Sequence, residues 1–120
     1  MSLSFDFGRE AENFAVDYFS ALGYQVLARN YFFQKAEIDL ILQKENEIIM
    51  VEVKARNSSF IRPEDAVNQK KKRLLIKAAN EFILRNNLEA DIRFDILALI
   101  KQKDGWKINH IIDAFNALEL

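Results

Sequence analysis

The chain has 120 residues and a mass of 14.0 kDa, which favours one domain over residues 1–120 with a single hydrophobic core. Half of the residues are hydrophobic, and 17 basic residues nearly balance 18 acidic ones, so no global basic field points to nucleic acid. The absence of cysteine excludes a disulfide scaffold, a thiol nucleophile and a cysteine zinc site. The single histidine excludes a multi-histidine metal site within one chain.

No apolar run reaches the roughly 18 residues that a membrane span needs, and no signal-peptide pattern opens the sequence. We therefore expect a cytoplasmic protein without membrane contact. Met1 to Leu3 are compatible with a vector-derived remnant.

The predicted elements alternate between helical and strand periodicity. A helix is predicted over 5–22, where apolar residues recur at helical spacing before Gly23. Strands are predicted over 24–33, 37–43 and 48–54, a long helix over 63–86 with Pro63 in its first turn, and strands over 91–100 and 106–112. This order predicts an α/β domain with one mixed sheet and helices packed on it.

The hairpin formed by the second and third strands carries the candidate chemistry. A turn centred on residues 45 and 46 places Asp39 opposite Glu52 and Glu37 opposite Lys54, all on one face. The other face is then uniformly aliphatic, with Ile38, Leu40, Leu42, Ile49, Val51 and Val53. Two adjacent carboxylates suit Mg²⁺ or Mn²⁺, and a neighbouring ammonium suits phosphodiester hydrolysis. The spacing alone also fits a solvated strand end with salt bridges such as Glu37–Lys54.

Two sequence blocks around this hairpin resemble a known family. They are Glu37-Ile38-Asp39-Leu40-Ile41 and Val51-Glu52-Val53-Lys54-Ala55-Arg56. Asp39 followed by Glu52-Val53-Lys54 resembles the PD-(D/E)xK nuclease motif, and the blocks resemble those of the YraN-like family. Further similarity extends along nearly the whole chain, from Gly8 and Glu12 through the Arg29-Asn30-Tyr31 block to Arg93-Phe94-Asp95 and His110-Ile111. Ala11 and Ala36 stand where that family has glycine.

The resemblance implies a restriction endonuclease-like three-layer fold, with a central mixed sheet flanked by helices, similar to that of Holliday junction resolvases. It implies Asp39 and Glu52 as ligands of Mg²⁺ or Mn²⁺, with help from the Val53 carbonyl. It implies that Lys54 orients or activates the attacking water and that Glu12 completes the acidic site. Position alone instead favours an exposed helix glutamate at Glu12.

A lysine interrupts the apolar stripe of the long helix. Lys71 must either reach past the stripe to solvent or meet an anion, and the family motif also has lysine there. We expect Lys71, Lys70, Arg73 and Arg56 to form a local patch that binds nucleic-acid phosphates. Charge clusters of this kind are more often solvated helix faces.

Other conspicuous side chains are interpreted first as structural. Arg93 and Asp95 share a strand face and are predicted to pair, and His110 is predicted to be packed or hydrogen-bonded. Phe32, Phe33 and Trp106 could stack on bases, although packing at a core or sheet edge is the more frequent use of such residues.

The leading hypothesis is a Mg²⁺-dependent endonuclease that hydrolyses nucleic acid, DNA rather than RNA, with branched DNA as one substrate. Cutting both strands of a junction would favour a two-fold homodimer. One alternative is a non-catalytic nucleic-acid-binding or adaptor module on the same fold. Another is a partner-binding domain with no role on nucleic acid.

Overall fold

The fold is described by a computed structural model for residues 3–57 and 67–116, with side chains described from residue 7 onward. The elements, in chain order, are α1 (Leu3–Ala21), β1 (Gln25–Phe33), β2 (Ala36–Lys44), β3 (Glu47–Arg56), α2 (Gln69–Arg85), β4 (Asp91–Gln102) and β5 (Gly105–Phe115). The predicted order of helices and strands is confirmed. None of the described helices is long and apolar enough to cross a membrane.

The predicted start of the second helix is wrong. Val67 and Asn68 are not helical, and α2 begins at Gln69. Asn68 has an extended backbone (φ −81°, ψ 174°), and its side-chain oxygen accepts the N–H of Lys71 at 2.8 Å. Asparagine is favoured at this capping position because its short side chain satisfies a free N–H of the first turn. The predicted N-terminal residues of that helix, Pro63, Glu64 and Asp65, lie outside the described residues.

The five strands form one mixed sheet in the order β1-β2-β3-β4-β5, and helices cover both faces. β3 and β4 are parallel, whereas every other neighbouring pair is antiparallel. α1 packs through Ala11, Ala15 and Phe19 on one face, and α2 packs through Leu75, Ala78, Ala79 and Phe82 on the other. The described residues therefore form a three-layer α/β arrangement, and the central strands are apolar on both sides, as burial on both faces requires.

The β2–β3 hairpin has the predicted register, but only over part of its length. Ile41 pairs with Met50, and the ladder ends at Leu40 opposite Val51. Beyond that point the predicted pairs Asp39–Glu52 and Glu37–Lys54 are absent from the ladder. The strands separate there into a fork, with β2 paired to β1 and β3 paired to β4.

The face predicted for Ile38 is wrong. Ile38 packs with Ile41 and Met50 on the α2 side, whereas Leu40 packs on the α1 side. Strict alternation would place Ile38 and Leu40 on the same side, so β2 is irregular at Asp39. The Asp39 carboxylate accepts the N–H of Val53 at 2.8 Å across the fork, so a side chain contacts β3 where the backbone ladder has ended.

Candidate active site

Asp39 lies at the fork between β2 and β3, where the irregular backbone presents its carboxylate to β3. Burial and the nearby Glu52 carboxylate raise the pKa of Asp39 to about 7, against the lowering effect of the Val53 N–H. A carboxyl group with such a pKa lacks a full complement of positive partners. Burial also raises the pKa of Glu37, with the negative charges of Glu12 and Glu52 adding to the effect.

Glu52 is the buried acid of the site, with 7% of its side chain exposed. Its Oε1 accepts a charged hydrogen bond from Lys71 Nζ at 2.7 Å and lies 3.7 Å from Lys54 Nζ. Its Oε2 is buried without a hydrogen-bond partner among the described residues. A buried carboxylate oxygen without a hydrogen-bond donor is energetically costly. Binding of a proton donor or a cation at this oxygen would remove that cost.

The two lysines of the site experience opposite shifts. Burial, followed by the nearby Lys71 ammonium, lowers the pKa of Lys54. Burial alone would also lower the pKa of Lys71, but its hydrogen bond and charge interaction with Glu52 outweigh that effect and raise the pKa. Lys71 is therefore the fixed counter-charge of Glu52, and Lys54 is the lysine that gives up its proton more readily.

The donor set fits a hard divalent cation with open coordination positions. In residues 3–57 and 67–116, no group of three His, Asp or Glu side chains is arranged to hold a metal. Asp39 and Glu52 nevertheless interact, and the second oxygen of Glu52 lacks a partner in this part of the chain. Mg²⁺ and Mn²⁺ are commonly held by one or two protein carboxylates, with water and phosphate completing the shell.

A groove of about 910 Å³ lies between α1, β1 and the C-terminal end of β3, and Asp39 is part of its wall. Glu12 also lines this groove. Its Oε1 accepts hydrogen bonds from Arg29 Nη2 at 3.0 Å and Asn30 Nδ2 at 2.9 Å. α1 thus brings Glu12 to the same groove as Asp39, with its carboxylate held by neighbours on β1.

The residues predicted to bind phosphate occupy different places. Lys71 reaches Glu52 in the site, and Arg56 lines the groove beside Lys54. Lys70 lines a separate hollow with Glu37 and Lys71, and Arg73 is exposed on α2. Among these four predicted residues, the structure brings only Lys71 and Arg56 to the site or its groove.

Arg9 and Arg29 are groove residues that the sequence reasoning missed. Arg9 is on α1 and Arg29 on β1, so neither belongs to the hairpin blocks from which the site was predicted. A recognisable signal was present at Arg29, within the Arg29-Asn30-Tyr31 block. Only the packing of α1 against the sheet shows that Arg29 holds Glu12 and faces the groove.

The predicted pairing of Arg93 with Asp95 is confirmed, and so is the packed position of His110. Asp95 has a side chain with 0% exposure, and Arg93 contacts it through Nε and Nη2, both at 2.9 Å. His110 Nε2 lies 2.7 Å from the same carboxylate, and the Asp113 N–H donates to it at 3.0 Å. Burial alone would raise the pKa of Asp95, but these donors together lower it.

Replacing Asp39 is expected to stabilise the metal-free protein. The folded-state pKa of Asp39 lies above that of an unfolded aspartate, so the folded state binds more protons between about pH 4 and pH 7. The free energy of unfolding of the wild type therefore falls as pH rises from about 4 to about 7. Asp39→Asn removes that loss, and partial solvent access together with the coupling to Glu52 reduces the gain to about 1–2 kcal/mol.

Urea unfolding in EDTA at pH 8 and pH 4.5 checks this expectation. The stabilisation by Asp39→Asn should be larger at pH 8 and shrink at pH 4.5. Asp17→Asn, at an exposed site on α1, is the matched control and should change stability by less than about 0.5 kcal/mol. A destabilised Asp39→Asn protein at pH 8 would contradict the electrostatic account of the fork.

Comparison with known sequences places the chain in a family. A profile described as "Uncharacterised protein family UPF0102" matches residues 11–99, which include Asp39, Glu52, Lys54 and Lys71. A UPF0102 protein of Flavobacterium psychrophilum is 47% identical over 111 residues, covering 92% of this chain and 93% of the relative.

Two further UPF0102 proteins show the same near-complete coverage. The one from Parabacteroides distasonis is 45% identical over 113 residues, covering 93% of each chain. The one from Porphyromonas gingivalis is 32% identical over 116 residues, covering 94% of this chain and 86% of the relative. These matches span the fork, the groove and the sheet together, and the chain belongs to the UPF0102 family, also called the YraN family.

Proposed function

We propose that this protein is a metal-dependent endonuclease with a restriction endonuclease-like fold, which hydrolyses phosphodiester bonds of DNA, including branched DNA. The observation that carries the proposal is the buried Glu52 carboxylate. Glu52 Oε2 has no hydrogen-bond partner among the described residues. Glu52 also interacts with Asp39, which has a raised pKa and lines a groove with an excess of basic residues. An acid that lines a groove and whose pKa is raised by burial and a nearby carboxylate, as at Asp39, is typical of catalytic sites.

Each side chain of the fork has a role in this proposal. Asp39 and Glu52, with the Val53 carbonyl, would hold Mg²⁺ or Mn²⁺. The bound cation would polarise the phosphate and lower the pKa of a water molecule. Lys54, whose Nζ lies 3.7 Å from Glu52 Oε1, would orient or activate the attacking water. Lys71 pairs with the Glu52 carboxylate and can contact a phosphate oxygen at the edge of the site. Glu12, held by Arg29, adds a further acidic group to the same groove.

The proposal extends to the cell and the assembly. An endonuclease acting on DNA works where the DNA is, in the bacterial cytoplasm. Cleavage of both strands of a junction would favour two sites related by a two-fold axis, and so a homodimer on that substrate.

One observation favours a second candidate, a nucleic-acid-binding module without catalysis. Lys71 Nζ lies 2.7 Å from Glu52 Oε1 and already supplies a positive charge to the buried acid. In that case the Lys71–Glu52 pair is a structural ion pair, and the groove binds nucleic acid without cleaving it.

Calorimetric titration of Mg²⁺ and Mn²⁺ into the purified protein separates the two candidates. An endonuclease should give binding heat that Asp39→Ala and Glu52→Ala abolish, with DNA cleavage lost in the same variants. Glu89→Ala, at an exposed carboxylate outside the fork, should behave like the wild type. Absence of metal binding by the wild type, with and without branched and duplex DNA present, would count against the endonuclease and favour the binding module.

A further inference from the structure

The groove beside the fork has an excess of positive charge that the net charge of the chain conceals. Its basic lining residues are Arg9, Arg29, Lys54 and Arg56, and its acidic ones are Glu12 and Asp39. Arg9 and Arg56 are exposed, so their guanidinium groups are accessible from solvent. The Arg29 side chain is 40% exposed, but its Nε and Nη2 donate to Glu12 and its Nη2 also donates to Asn13. Arginine binds phosphate oxygens through parallel N–H donors, which suits a groove that follows a nucleic-acid backbone.

An exposed aromatic ring completes the wall of this groove. Phe32 lines it and is 67% exposed, which is unusual for so large an apolar side chain. Other aromatic residues nearby in the sequence or fold are packed: Phe33 lies against the core of the α2 side, and Trp106 contacts Phe7 with ring centroids 5.4 Å apart. Of the three aromatics considered for base stacking, Phe32 is the one that the fold leaves open to a ligand.

The backbone of β1 helps to explain why Phe32 and Arg29 face the same groove. Asn30 has a positive φ of 51°, a conformation that asparagine tolerates better than most residues and that interrupts regular strand geometry. Its side chain is fixed by a 2.9 Å hydrogen bond to Glu12 on α1. Arg29 and Phe32, on either side of this irregularity, both line the groove with Asp39.

We propose that this groove binds one nucleic-acid strand, with its phosphates on Arg9 and Arg56 and one unpaired base stacked on Phe32. In a regular duplex both faces of each base are covered by neighbouring bases, so a protein ring can stack only on a base that is unpaired or displaced. The preferred substrate therefore has an unpaired nucleotide beside the phosphate that lies at Asp39. This inference deepens the proposed function by naming its substrate class, but strand binding itself does not depend on cleavage.

Binding measured in EDTA tests the inference separately from catalysis. The probes are a single-stranded DNA oligonucleotide with 2-aminopurine at one position, a fully paired duplex, and the same duplex with one unpaired 2-aminopurine. Stacking on Phe32 should quench the fluorescence of the unpaired base. Phe32→Ala should weaken binding of the single strand and of the interrupted duplex roughly 5- to 150-fold, without changing affinity for the paired duplex. Phe32→Trp should keep both affinity and quenching.

The controls are matched to each part of the groove. Leu84→Ala removes a side chain that is 81% exposed on α2, away from the groove, and should not change binding. Arg9→Gln should lower the salt dependence of single-strand binding by about one counterion, whereas Lys107→Gln, on the opposite edge strand β5, should not. Thermal unfolding of each variant confirms that it is folded.

Equal affinity of wild type and Phe32→Ala for all three DNAs, or an Arg9→Gln protein with an unchanged salt slope, would overturn the inference. A change of oligomeric state in Phe32→Ala without loss of quenching would also overturn it, because Phe32 would then contact a second copy of the chain. If the wild type cleaves no DNA but Phe32-dependent quenching is present, strand recognition stands and the proposed hydrolysis fails.

Discussion

Arg93→Ala is expected to destabilise the protein by about 3–5 kcal/mol, because it leaves a fully buried Asp95 carboxylate without its guanidinium partner. Arg93 makes two hydrogen bonds to Asp95, one to the Tyr24 hydroxyl at 2.8 Å and one to Glu47 at 3.1 Å. The hydrogen bonds to Asp95 are the first cause of a raised Arg93 pKa, so the ion pair persists throughout the pH range in which the protein is handled.

The pH dependence follows from the lowered pKa of Asp95. A carboxyl group with a lowered folded-state pKa stabilises the protein above the unfolded value near 4, and this stability is lost as pH falls through the folded-state pKa. Loss of Arg93 leaves His110 and the Asp113 N–H as the donors to Asp95. Without Arg93, we expect Asp95 to take up a proton at higher pH. The loss of stability caused by Arg93→Ala should therefore shrink on acidification, because a protonated Asp95 no longer carries an uncompensated charge.

Urea unfolding from pH 4 to pH 8 measures both effects. Arg85→Ala is the matched control, because Arg85 is 72% exposed and pairs with Glu81 only on the surface of α2 at 3.8 Å. That variant should lose less than about 0.5 kcal/mol at any pH. A similarly small loss in Arg93→Ala would mean that solvent enters the network and replaces the guanidinium.

In the proposed endonuclease, Lys54→Met is expected to slow DNA cleavage by roughly 100- to 10,000-fold, the range that a positioned acid–base group contributes. Lys54 Nζ lies 3.7 Å from Glu52 Oε1, and its lowered pKa distinguishes it from an ordinary surface lysine. Methionine keeps much of the length and apolar surface of the side chain but cannot hold or accept a proton. The loss should therefore appear in the single-turnover rate at saturating DNA rather than in DNA affinity.

Lys70→Met provides the comparison, because Lys70 is a neighbouring lysine of the predicted patch that lines a different hollow. Its cleavage rate should remain within a few-fold of wild type. Stability of both variants should be measured, since removal of Lys54 also removes a positive charge near buried Glu52. An unchanged single-turnover rate in Lys54→Met, with the wild type active, would remove Lys54 from the chemistry and leave Lys71 as the cation that acts beside Glu52.

Local patterns in the sequence were sufficient to predict the order of the elements and the register of the hairpin near its turn. Ile41 and Met50 pair as expected because a short turn and two alternating apolar strands restrict the alignment. Helix α2 begins later than predicted because the Asn68 side chain caps it. The prediction instead places the first turn at Pro63, since proline is favoured at that position. Pairing of Arg93 with Asp95 was predictable because residues two apart in a strand share a face.

The fork could not be predicted from the hairpin alone. Its geometry depends on the pairing of β2 with β1, on the pairing of β3 with β4, and on the packing of α2 over Ile38. These are contacts between segments distant in sequence, so alternation within β2 gave the wrong side for Ile38. The groove depends in the same way on where α1 lies, since Glu12 and Arg29 meet only after the helix packs on the sheet. Long-range packing decides such positions where local periodicity does not.

The parallel pairing of β3 with β4 has a consequence for how the chain folds. β3 meets β2 through the tight turn at Glu45 and Asn46, whereas it meets β4 only after the chain has passed through α2. Closing the longer loop costs more chain entropy and makes that contact slower to form. We therefore expect the hairpin to form early and the union with β4 to form late. The site at the fork needs both the local hairpin and the long crossover, because Lys71 lies on α2 and Glu52 lies on β3. These two charges therefore come together only in the last steps of folding.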